Sequence, residues 1–355
     1  MTDKVLMKGN EALAEAAIMA GCRHYFGYPI TPQTEVAAYM AKRMPKIGGT
    51  FLQAESEIAA INMVYGVAAA GYRVMTSSSS PGIALKSEGL SYLAGADLPA
   101  LVINVQRGGP GLGGIQPSQS DYFQATKAGG HGDFRMIVLA PASVQEMADL
   151  TVKGFDLADK DRVTSMILAD GTMGQMMEPV SLNYGEPTKY NKDWAVTGTN
   201  CARPHNIVNS LFLQPDELEK FNFTRYERYQ QIEETETMYE EYMMEDAEIC
   251  VVAFGISARV AKNAIVQARA EGIKVGMIRP ITLWPFPKAP MLKAAEKVHT
   301  FISVEMSMGQ MIEDIELAIR CRRPVKLCNR VGGMIPSPDQ VYASIVETAK
   351  EGGAQ

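Results

Sequence analysis

The stretch FGYPITPQTE at positions 26–35 joins a short apolar run to a run with helical spacing. A strand that leads directly into a helix is the repeating unit of α/β folds, so this junction indicates the fold class. Thr31 stands just before Pro32, and proline is favoured at the first helical position. We therefore predict that Thr31 is the N-cap of the helix through Glu35–Met40. A ligand-binding role for its hydroxyl stays open, because helix N-termini at the carboxyl edge of an open sheet bind anionic groups.

The same alternation of short apolar and longer amphipathic runs continues through the first 185 residues. Strands are predicted at 24–28, 73–78, 99–106, 135–140 and 163–169. Helices are predicted near 9–20, 34–44, 56–70, 83–94 and 143–159. This pattern predicts an α/β fold in which a mostly parallel sheet carries helices on both faces.

The chain is predicted to consist of two domains and a connecting segment. Residues 1–185 form the first domain, and residues 186–247 are interpreted as a linker that packs against the surface. The acidic run QQIEETETMYEEYMMEDAE at 230–248 is predicted to form one solvated helix at the end of that segment. The alternation then resumes, which predicts a second, smaller α/β domain at 248–355.

Composition and charge exclude several classes of protein. Hydrophobic residues make up 46% of the chain and charged residues 21%, as expected for a folded globular protein. The formal net charge is −6 and no dense run of lysine and arginine is present, which gives no support for nucleic-acid binding. No apolar run reaches the roughly 18 residues of a membrane helix, and the N-terminus lacks an apolar signal core, so the cytoplasm is the expected location.

Cysteine and histidine spacing gives no sign of a metal site in this sequence. The five cysteines include no CxxC pair, and the four histidines are dispersed along the chain. An odd, scattered set of cysteines argues against a disulfide framework and against a zinc or iron–sulfur site.

Two glutamates stand near the start of the stretch QAESEIAAINMVYGVAAAGYRV at 53–74. Acidic residues are favourable near the positive end of a helix, so Glu55 and Glu57 could both be exposed and replaceable. The helix that follows is rich in alanine and glycine, and such a helix packs closely against its neighbours. A carboxyl buried at its start could instead share a proton with a ring nitrogen of a ligand.

A polar segment, TSSSSPG, occupies positions 76–82. Serine hydroxyls next to a Pro-Gly pair commonly bond to their own backbone in a turn, which is a structural role. The alternative is that these hydroxyls serve as donors near a cofactor.

The segment at 109–114 matches the dinucleotide fingerprint GxGxxG. That fingerprint requires a helix to begin at once, so that its N-terminus faces the pyrophosphate. Pro110 lies inside the motif and Pro117 follows it, so no helix is expected there. We interpret the match as fortuitous.

Arg107 stands at the end of the strand predicted at 99–106. It could be an ordinary surface arginine. At the carboxyl edge of a sheet, its guanidinium could instead pair with a carboxylate through two parallel hydrogen bonds.

The segments GYPITP, ESEIAA, TSSSSPG and NVQRGGPG occur in this order, and as an ordered set they resemble the alpha subunit of the 2-oxoacid:ferredoxin oxidoreductases. The chain is most similar to the 2-oxoisovalerate (3-methyl-2-oxobutanoate) branch, with the 2-oxoglutarate branch close behind. The later segment IRPITLWPFP resembles the transketolase-C-like domain of the same subunits. The resemblance covers nearly the whole chain. It implies two thiamine-diphosphate-enzyme-like domains, an N-terminal pyrimidine-binding parallel-sheet domain and a smaller transketolase-C-like domain.

The resemblance implies oxidative decarboxylation of a 2-oxoacid to an acyl-coenzyme A, with thiamine diphosphate as cofactor, coenzyme A as co-substrate and ferredoxin as electron acceptor. Within the motifs, Glu57 matches the acid that bonds N1′ of the aminopyrimidine. Thr31 and Arg107 match the residues that bind the carboxylate of the oxoacid. The pyrimidine pocket is expected to be lined by Tyr28, Pro29 and Ile30.

The sequence contains only part of such a site, because the GDG…NN pattern that holds the diphosphate through magnesium is absent. We therefore expect thiamine diphosphate to be shared with a beta subunit, with Mg²⁺ and [4Fe-4S] clusters on partner subunits. Gamma and ferredoxin-like delta subunits complete the expected complex. The alternatives are a 2-oxoglutarate enzyme, an NAD-dependent dehydrogenase that uses the GxGxxG match, and a non-catalytic scaffold subunit.

Overall fold

The computed structural model describes residues 4–127 and 129–352, so the outermost ends of the two predicted domains, 1–3 and 353–355, lie outside the described residues. Its strands, in chain order, are β1 (Val5–Lys8), β2 (His24–Gly27), β3 (Thr50–Gln53), β4 (Val74–Ser78), β5 (Ala100–Gln106), β6 (Ile137–Leu139), β7 (Thr164–Asp170), β8 (Met177–Val180), β9 (Tyr239–Tyr242), β10 (Ile249–Ala253), β11 (Val275–Pro280), β12 (Thr282–Trp284), β13 (Thr300–Glu305) and β14 (Val325–Asn329). Its helices, in chain order, are α1 (Gly9–Met19), α2 (Thr34–Arg43), α3 (Glu57–Ala69), α4 (Ser80–Leu85), α5 (Ser87–Gly95), α6 (Tyr122–Thr126), α7 (Val144–Asp161), α8 (Gly171–Gln175), α9 (Pro215–Thr235), α10 (Gly255–Ala270), α11 (Lys288–Ala294), α12 (Met311–Ala318) and α13 (Pro338–Gly352).

The larger sheet contains its strands in the order β12-β6-β7-β5-β4-β2-β3. Every neighbouring pair in it is parallel except β12 and β6. Strands β5 and β7 are buried at every position, because side chains on both faces of this sheet are covered. The predicted α/β class with a mostly parallel sheet is confirmed.

Helix α3 packs against α5, and α1 packs against α7. A side chain at Gly89 of α5 would press on Ile61 of α3, so the two helices approach closely at this point. Gly66 of α3 differs, since it is exposed and the space beside it is open. The close packing expected for the alanine-rich helix therefore occurs on its Ile61 face only. Within residues 4–127 and 129–352, no helix is long and apolar enough to cross a membrane.

The smaller sheet has the order β14-β13-β10-β11-β9, and only β9 runs antiparallel to its neighbour. Its central strands β10, β11 and β13 are buried at every position. The alternation of strands and helices predicted after residue 248 is present in this sheet and in α10 to α13.

The segment predicted as a linker contains regular structure. Helix α9 packs on the first domain through its buried residues Arg225, Tyr229 and Ile232. The acidic run does not form one helix as predicted, because α9 ends at Thr235 and the residues after it form β9 at the edge of the smaller sheet. The position of the domain boundaries stays a prediction.

A buried ion network joins the linker, the second sheet and α7. Arg279 of β11 is 4% exposed and donates to both carboxyl oxygens of Glu146 at 2.8 Å and to Glu240 of β9 at 2.7 Å. The paired charges explain why an acidic segment adopts a strand here, since Glu240 also binds Lys262 at 2.5 Å. The chain then enters the larger sheet as β12.

Besides β9, four short strands were not expected from the sequence, namely β1, β3, β8 and β12. Strands β1 and β8 pair with each other outside the two larger sheets, and β3 is an edge strand whose side chains are largely exposed. Short edge strands lack a continuous apolar run, which is the signal that identifies buried strands in a sequence.

Arg279→Met is expected to lower the free energy of unfolding by about 2–3 kcal/mol, since it leaves Glu146 and Glu240 without their shared cation. The loss is smaller than for a fully buried pair, because both carboxyls are partly exposed. The control is Lys274→Met, which removes an exposed pair with Glu248 and is expected to change stability by less than about 0.5 kcal/mol. Urea unfolding of the full chain compares the two variants. Equal losses would contradict a stabilising role for the buried network.

Candidate active site

Strands β3, β2, β4 and β5 are neighbours in the larger sheet and run parallel, so their carboxyl ends lie side by side. Glu57 follows β3, Thr31 follows β2, the serine segment ends β4, and Arg107 follows β5. Open α/β sheets bind ligands at the carboxyl ends of their strands. The order of the strands therefore brings the sequence-predicted site residues to one edge of the sheet.

The predicted capping role of Thr31 is wrong, because α2 begins three residues later and its N-cap is Gln33. A turn precedes the helix, in which the Gln33 amide donates to the Ile30 carbonyl at 3.2 Å. The Asn10 side chain binds the Pro32 carbonyl at 2.9 Å, and this bond holds that carbonyl outside the helix. Thr31 is exposed, so its side chain is open to a ligand.

Arg107 contacts the Thr31 segment directly. It is 7% exposed, and its two Nη atoms donate to the carbonyls of Thr31 at 3.1 Å and Leu112 at 2.9 Å. Its buried Nε has no hydrogen-bond partner among the residues that the structure describes. Leaving a buried donor unpaired costs about 1–3 kcal/mol, so this atom is a ready donor for a bound acceptor.

The glycine-rich segment at 108–116 forms a closed loop rather than the start of a helix. The Gly108 amide donates to the Gln116 carbonyl at 3.0 Å. Gly113 has a φ of 59°, and a side chain there would overlap the Gly108 carbonyl. The next helix begins only at Tyr122. The GxGxxG match thus lacks the helix N-terminus that a dinucleotide site requires.

Glu57 is the first residue of α3 and is 6% exposed. The helix does not need its carboxyl as a cap, because the Ser56 hydroxyl accepts from the Ala59 amide at 3.2 Å. In the described part of the chain, the Glu57 carboxyl accepts no hydrogen bond. Glu55, by contrast, is exposed. The interpretation of both glutamates as exposed surface residues is therefore wrong for Glu57.

A glycine allows α4 to approach the Glu57 carboxyl. A Cβ atom at Gly82 would lie 2.6 Å from Glu57 Oε1 and would overlap the Ser78 hydroxyl. The hydroxyls of Ser78 and Ser79 are fully buried and lack partners among residues 4–127 and 129–352. Buried polar groups normally have partners, so a carboxyl and hydroxyls without them mark a place for a polar ligand.

Ser77 fixes the loop that carries Thr31. Its hydroxyl lies 2.7 Å from the Tyr25 hydroxyl and donates to Gln33 Oε1 at 2.6 Å. Gln33 Nε2 in turn donates to the Tyr28 carbonyl at 3.3 Å. These bonds run between different strands and loops, so this serine does not bond to its own turn.

Ser80 holds the backbone of Arg107 through a side-chain hydrogen bond. Its hydroxyl accepts from the Arg107 amide at 3.0 Å and donates to Asp121 at 2.5 Å. Asn104 donates to the same carboxylate at 2.9 Å. Burial raises the pKa of Asp121, and the bonds from Ser80 and Asn104 oppose this shift. No motif in the sequence indicated Asp121, since its role depends on a strand and a helix that meet only in the fold.

Lys86 is a further polar residue that no sequence pattern indicated. It is fully buried, and its Nζ donates to the backbone carbonyl of Glu57 at 3.3 Å. Burial lowers the pKa of Lys86 to about 8, and the charge of Glu57 opposes the shift.

The residues at this edge fit the aminopyrimidine of thiamine diphosphate. The ring needs a carboxyl partner and apolar contact surfaces, and Glu57 offers the carboxyl in a narrow space bounded by Gly82. The loop beside it presents exposed Tyr28 and Pro29 and half-buried Ile30.

The larger cavities of the chain lie away from this edge. One cavity of about 520 Å³ between α7 and α10 is lined by charges that pair with one another, including Glu146, Glu240, Lys262 and Arg279. Within the described ranges, no group of three or more His, Cys, Asp or Glu side chains could hold a metal ion. The edge that carries Glu57 is thus an open half-site rather than an enclosed pocket.

Two family matches cover most of the chain. Residues 15–244 match the thiamine diphosphate-binding part of the pyruvate flavodoxin/ferredoxin oxidoreductases. Residues 247–341 match the core domain II of pyruvate:ferredoxin oxidoreductase.

Individual relatives agree with the resemblance stated from the motifs. The chain is 55% identical over 349 residues to the ketoisovalerate oxidoreductase subunit VorB of Methanothermobacter marburgensis, with 98% of each chain covered. It is 34% identical to the 2-oxoglutarate synthase subunit KorA of Methanothermobacter thermautotrophicus, over 98% of this chain and 99% of that relative.

A solved structure has the same fold. It is the 2-oxoglutarate:ferredoxin oxidoreductase from Magnetococcus marinus with 2-oxoglutarate, coenzyme A and succinyl-CoA bound. The match has a TM-score of 0.86 at 29% identity and covers 98% of this chain and 66% of that one. Together with the family matches, this likeness confirms the resemblance. The chain belongs to the pyruvate flavodoxin/ferredoxin oxidoreductase family and is a subunit of a thiamine-diphosphate-dependent 2-oxoacid:ferredoxin oxidoreductase.

Proposed function

We propose that this chain supplies the pyrimidine half of the thiamine diphosphate site, and that the assembled enzyme converts 3-methyl-2-oxobutanoate to an acyl-coenzyme A, CO₂ and reduced ferredoxin. The observation that carries the proposal is the buried Glu57 carboxyl, which accepts no hydrogen bond from the residues that the structure describes. It lies beside the Ser78 hydroxyl, which also lacks a partner among those residues. The substrate is proposed from the 55% identity to a ketoisovalerate oxidoreductase subunit.

Glu57 has the central role in this proposal. The chemistry that thiamine diphosphate supplies when bound is a carbon nucleophile for the oxoacid carbonyl. Glu57 binds the ring at N1′ and exchanges a proton with that nitrogen. Burial shields this hydrogen bond from water and strengthens it. Acid–base assistance of this kind typically contributes about 10²–10⁴ in rate.

Arg107 and Thr31 bind the carboxylate of the oxoacid in the proposed site. The two backbone carbonyls that Arg107 holds fix its guanidinium, and its Nε is free to donate. Ser77 and Gln33 hold the Thr31 loop in place before substrate arrives, which avoids the cost of ordering it later. A charge-assisted hydrogen bond contributes on the order of 1.5–3 kcal/mol.

The diphosphate half of the site is assigned to a beta subunit that carries Mg²⁺ and a [4Fe-4S] cluster, with gamma and ferredoxin-like delta subunits completing the complex. Supporting this assignment, the GDG…NN pattern is absent from the sequence. Apolar side chains around the half-site are also partly exposed, namely Tyr28 at 37%, Leu52 at 38% and Ile58 at 49%, as expected for a surface that a partner covers. The five unpaired cysteines fit the reducing cytoplasm.

The second candidate substrate is 2-oxoglutarate, which the relatives at 34% and 29% identity favour through their names. Its distal carboxylate needs a second cation, whereas the branched side chain of 3-methyl-2-oxobutanoate needs an apolar wall. Substrate preference of the complex separates these two candidates.

Glu57→Gln is expected to lower kcat of the assembled enzyme by about 10²–10⁴, because glutamine cannot exchange a proton with the ring. Turnover is measured by reduction of ferredoxin or a dye. Assembly should be preserved, since the change is nearly isosteric. Glu55→Gln is the matched control, as Glu55 lies two positions away but is exposed, and its turnover should stay within about twofold.

Unchanged turnover in the Glu57→Gln enzyme would support the alternative of a non-catalytic scaffold subunit. Binding of NAD to the isolated chain, measured by calorimetry, would support the dehydrogenase alternative. We expect no NAD binding.

Arg107→Ala is expected to raise KM for the oxoacid by about ten- to a hundredfold, which corresponds to one lost charge-assisted hydrogen bond. KM for coenzyme A should stay unchanged in the same assay, and this serves as an internal control. Equal increases for both substrates would show that Arg107 does not bind the oxoacid carboxylate.

The purified complex is expected to have a kcat/KM for 3-methyl-2-oxobutanoate at least tenfold above those for 2-oxoglutarate and pyruvate, because each extra methylene or unpaired carboxylate changes binding by about 1–3 kcal/mol. Steady-state assays with the three oxoacids at equal coenzyme A test this. A preference for 2-oxoglutarate would contradict the proposed substrate and would place the chain in the 2-oxoglutarate branch of the family.

A further inference from the structure

Lys86 is a buried titratable group to which the proposed chemistry gives no role. It lies between α4 and α5 and is 0% exposed. In the described part of the chain it forms no salt bridge, and its Nζ donates to the Glu57 backbone carbonyl at 3.3 Å. Lysine is almost never fully buried unless it is paired, so its position requires an explanation.

We propose that Lys86 is a positioning residue of the thiamine site, whose buried ammonium holds the start of α3, and with it Glu57, through a hydrogen bond to the Glu57 backbone carbonyl. The proposal rests on the proposed function of Glu57. Lys86 acts through Glu57 and has no separate chemical step.

Glu57 is the charged group that acts on Lys86 from the surrounding elements. Neither α4 nor β4 contains an ionisable side chain. On α5, Glu88 bonds the Tyr92 hydroxyl at 2.6 Å on the exposed side of the helix. On α3, Tyr65 is the other titratable residue and lies two turns beyond Glu57. Among these elements, Glu57 is therefore the charged residue that acts on Lys86.

Burial lowers the pKa of Lys86 to about 8, and the charge of Glu57 opposes this effect. Above a pH of about 8 the lysine is neutral, and its hydrogen bond to the Glu57 carbonyl loses the contribution of the charge. The charge of Lys86 thus strengthens the contact that holds the start of α3.

The first test uses the full chain without coenzyme. NMR of lysine side chains labelled with ¹³C follows the titration of Lys86, whose signal is assigned by its loss in Lys86→Met. We expect a midpoint near pH 8. Glu57→Gln should lower this midpoint by about one unit or more, because the lysine loses its counter-charge. A midpoint near the ordinary lysine value of about 10.4, or one unmoved by Glu57→Gln, would overturn the proposal.

The second test uses the assembled enzyme and its pH profile of kcat. Lys86→Met should lower kcat at pH values below the Lys86 midpoint, where the wild-type lysine is charged, and the two profiles should converge above that midpoint. KM for the oxoacid should not change. Lys42→Met, which removes an exposed lysine on α2, should leave the profile unchanged.

A kcat that falls uniformly at every pH in Lys86→Met would show a merely structural role and contradict the proposal. Lys86→Arg keeps the charge at every pH and should retain the wild-type kcat below the Lys86 midpoint, so the test stands if the methionine variant fails to fold. Normal turnover in Glu57→Gln would reject the proposed function itself, whereas the NMR titration judges the lysine–glutamate coupling independently.

Discussion

The half-site depends on the close approach of α4 to the head of α3. Only glycine at position 82 leaves room for the Glu57 carboxyl and the Ser78 hydroxyl against the helix backbone. This contact buries an acidic side chain that has no hydrogen-bond partner in the described part of the chain, an arrangement that costs stability unless a ligand compensates. The neighbouring glycine at 89 lets α5 pack closely on the same helix at Ile61.

The second domain contributes to the same edge through one buried side chain. Gln119 lies just beyond the glycine-rich loop and is 1% exposed. Its amide nitrogen donates to the Phe254 carbonyl at 2.9 Å, while its amide oxygen accepts from the Ser257 hydroxyl and from the Met306 amide. The loop that closes over Arg107 is therefore attached to both sheets. Movement of one domain relative to the other would displace the carboxylate-binding residues.

Much of the fold and part of the site could be predicted from the sequence. The strand–helix alternation was sufficient for the parallel sheet, and it indicated Thr31 and Arg107 as residues at the carboxyl edge of that sheet. Strand β3 was not predicted, so Glu57 was indicated by its motif and not by the order of the strands. The local sequence predicted a helix N-cap at Thr31, and this was wrong because the Pro32 carbonyl accepts a hydrogen bond from Asn10, a residue far away in sequence. The local sequence also predicted a helix at β9. That segment forms a strand instead, where ion pairs join Glu240 to Arg279 and Lys262.

The residues that no motif indicated share one property. Lys86 is buried and Asp121 is half-buried by elements that meet only in the fold, and burial of a single polar residue leaves no periodic signal in a sequence. The open half-site has a similar explanation. In the proposed assignment, the chain contributes the carboxyl and leaves the diphosphate to a partner, so it forms an incomplete cleft.

The measurement that tests this account most directly is an electron cryomicroscopy structure of the purified complex with thiamine diphosphate bound. The account predicts a Glu57 carboxyl oxygen within about 2.6–3.2 Å of N1′ of the aminopyrimidine, with the diphosphate held by another subunit. A map in which that carboxyl faces solvent, or in which the ring lies away from the head of α3, would contradict it.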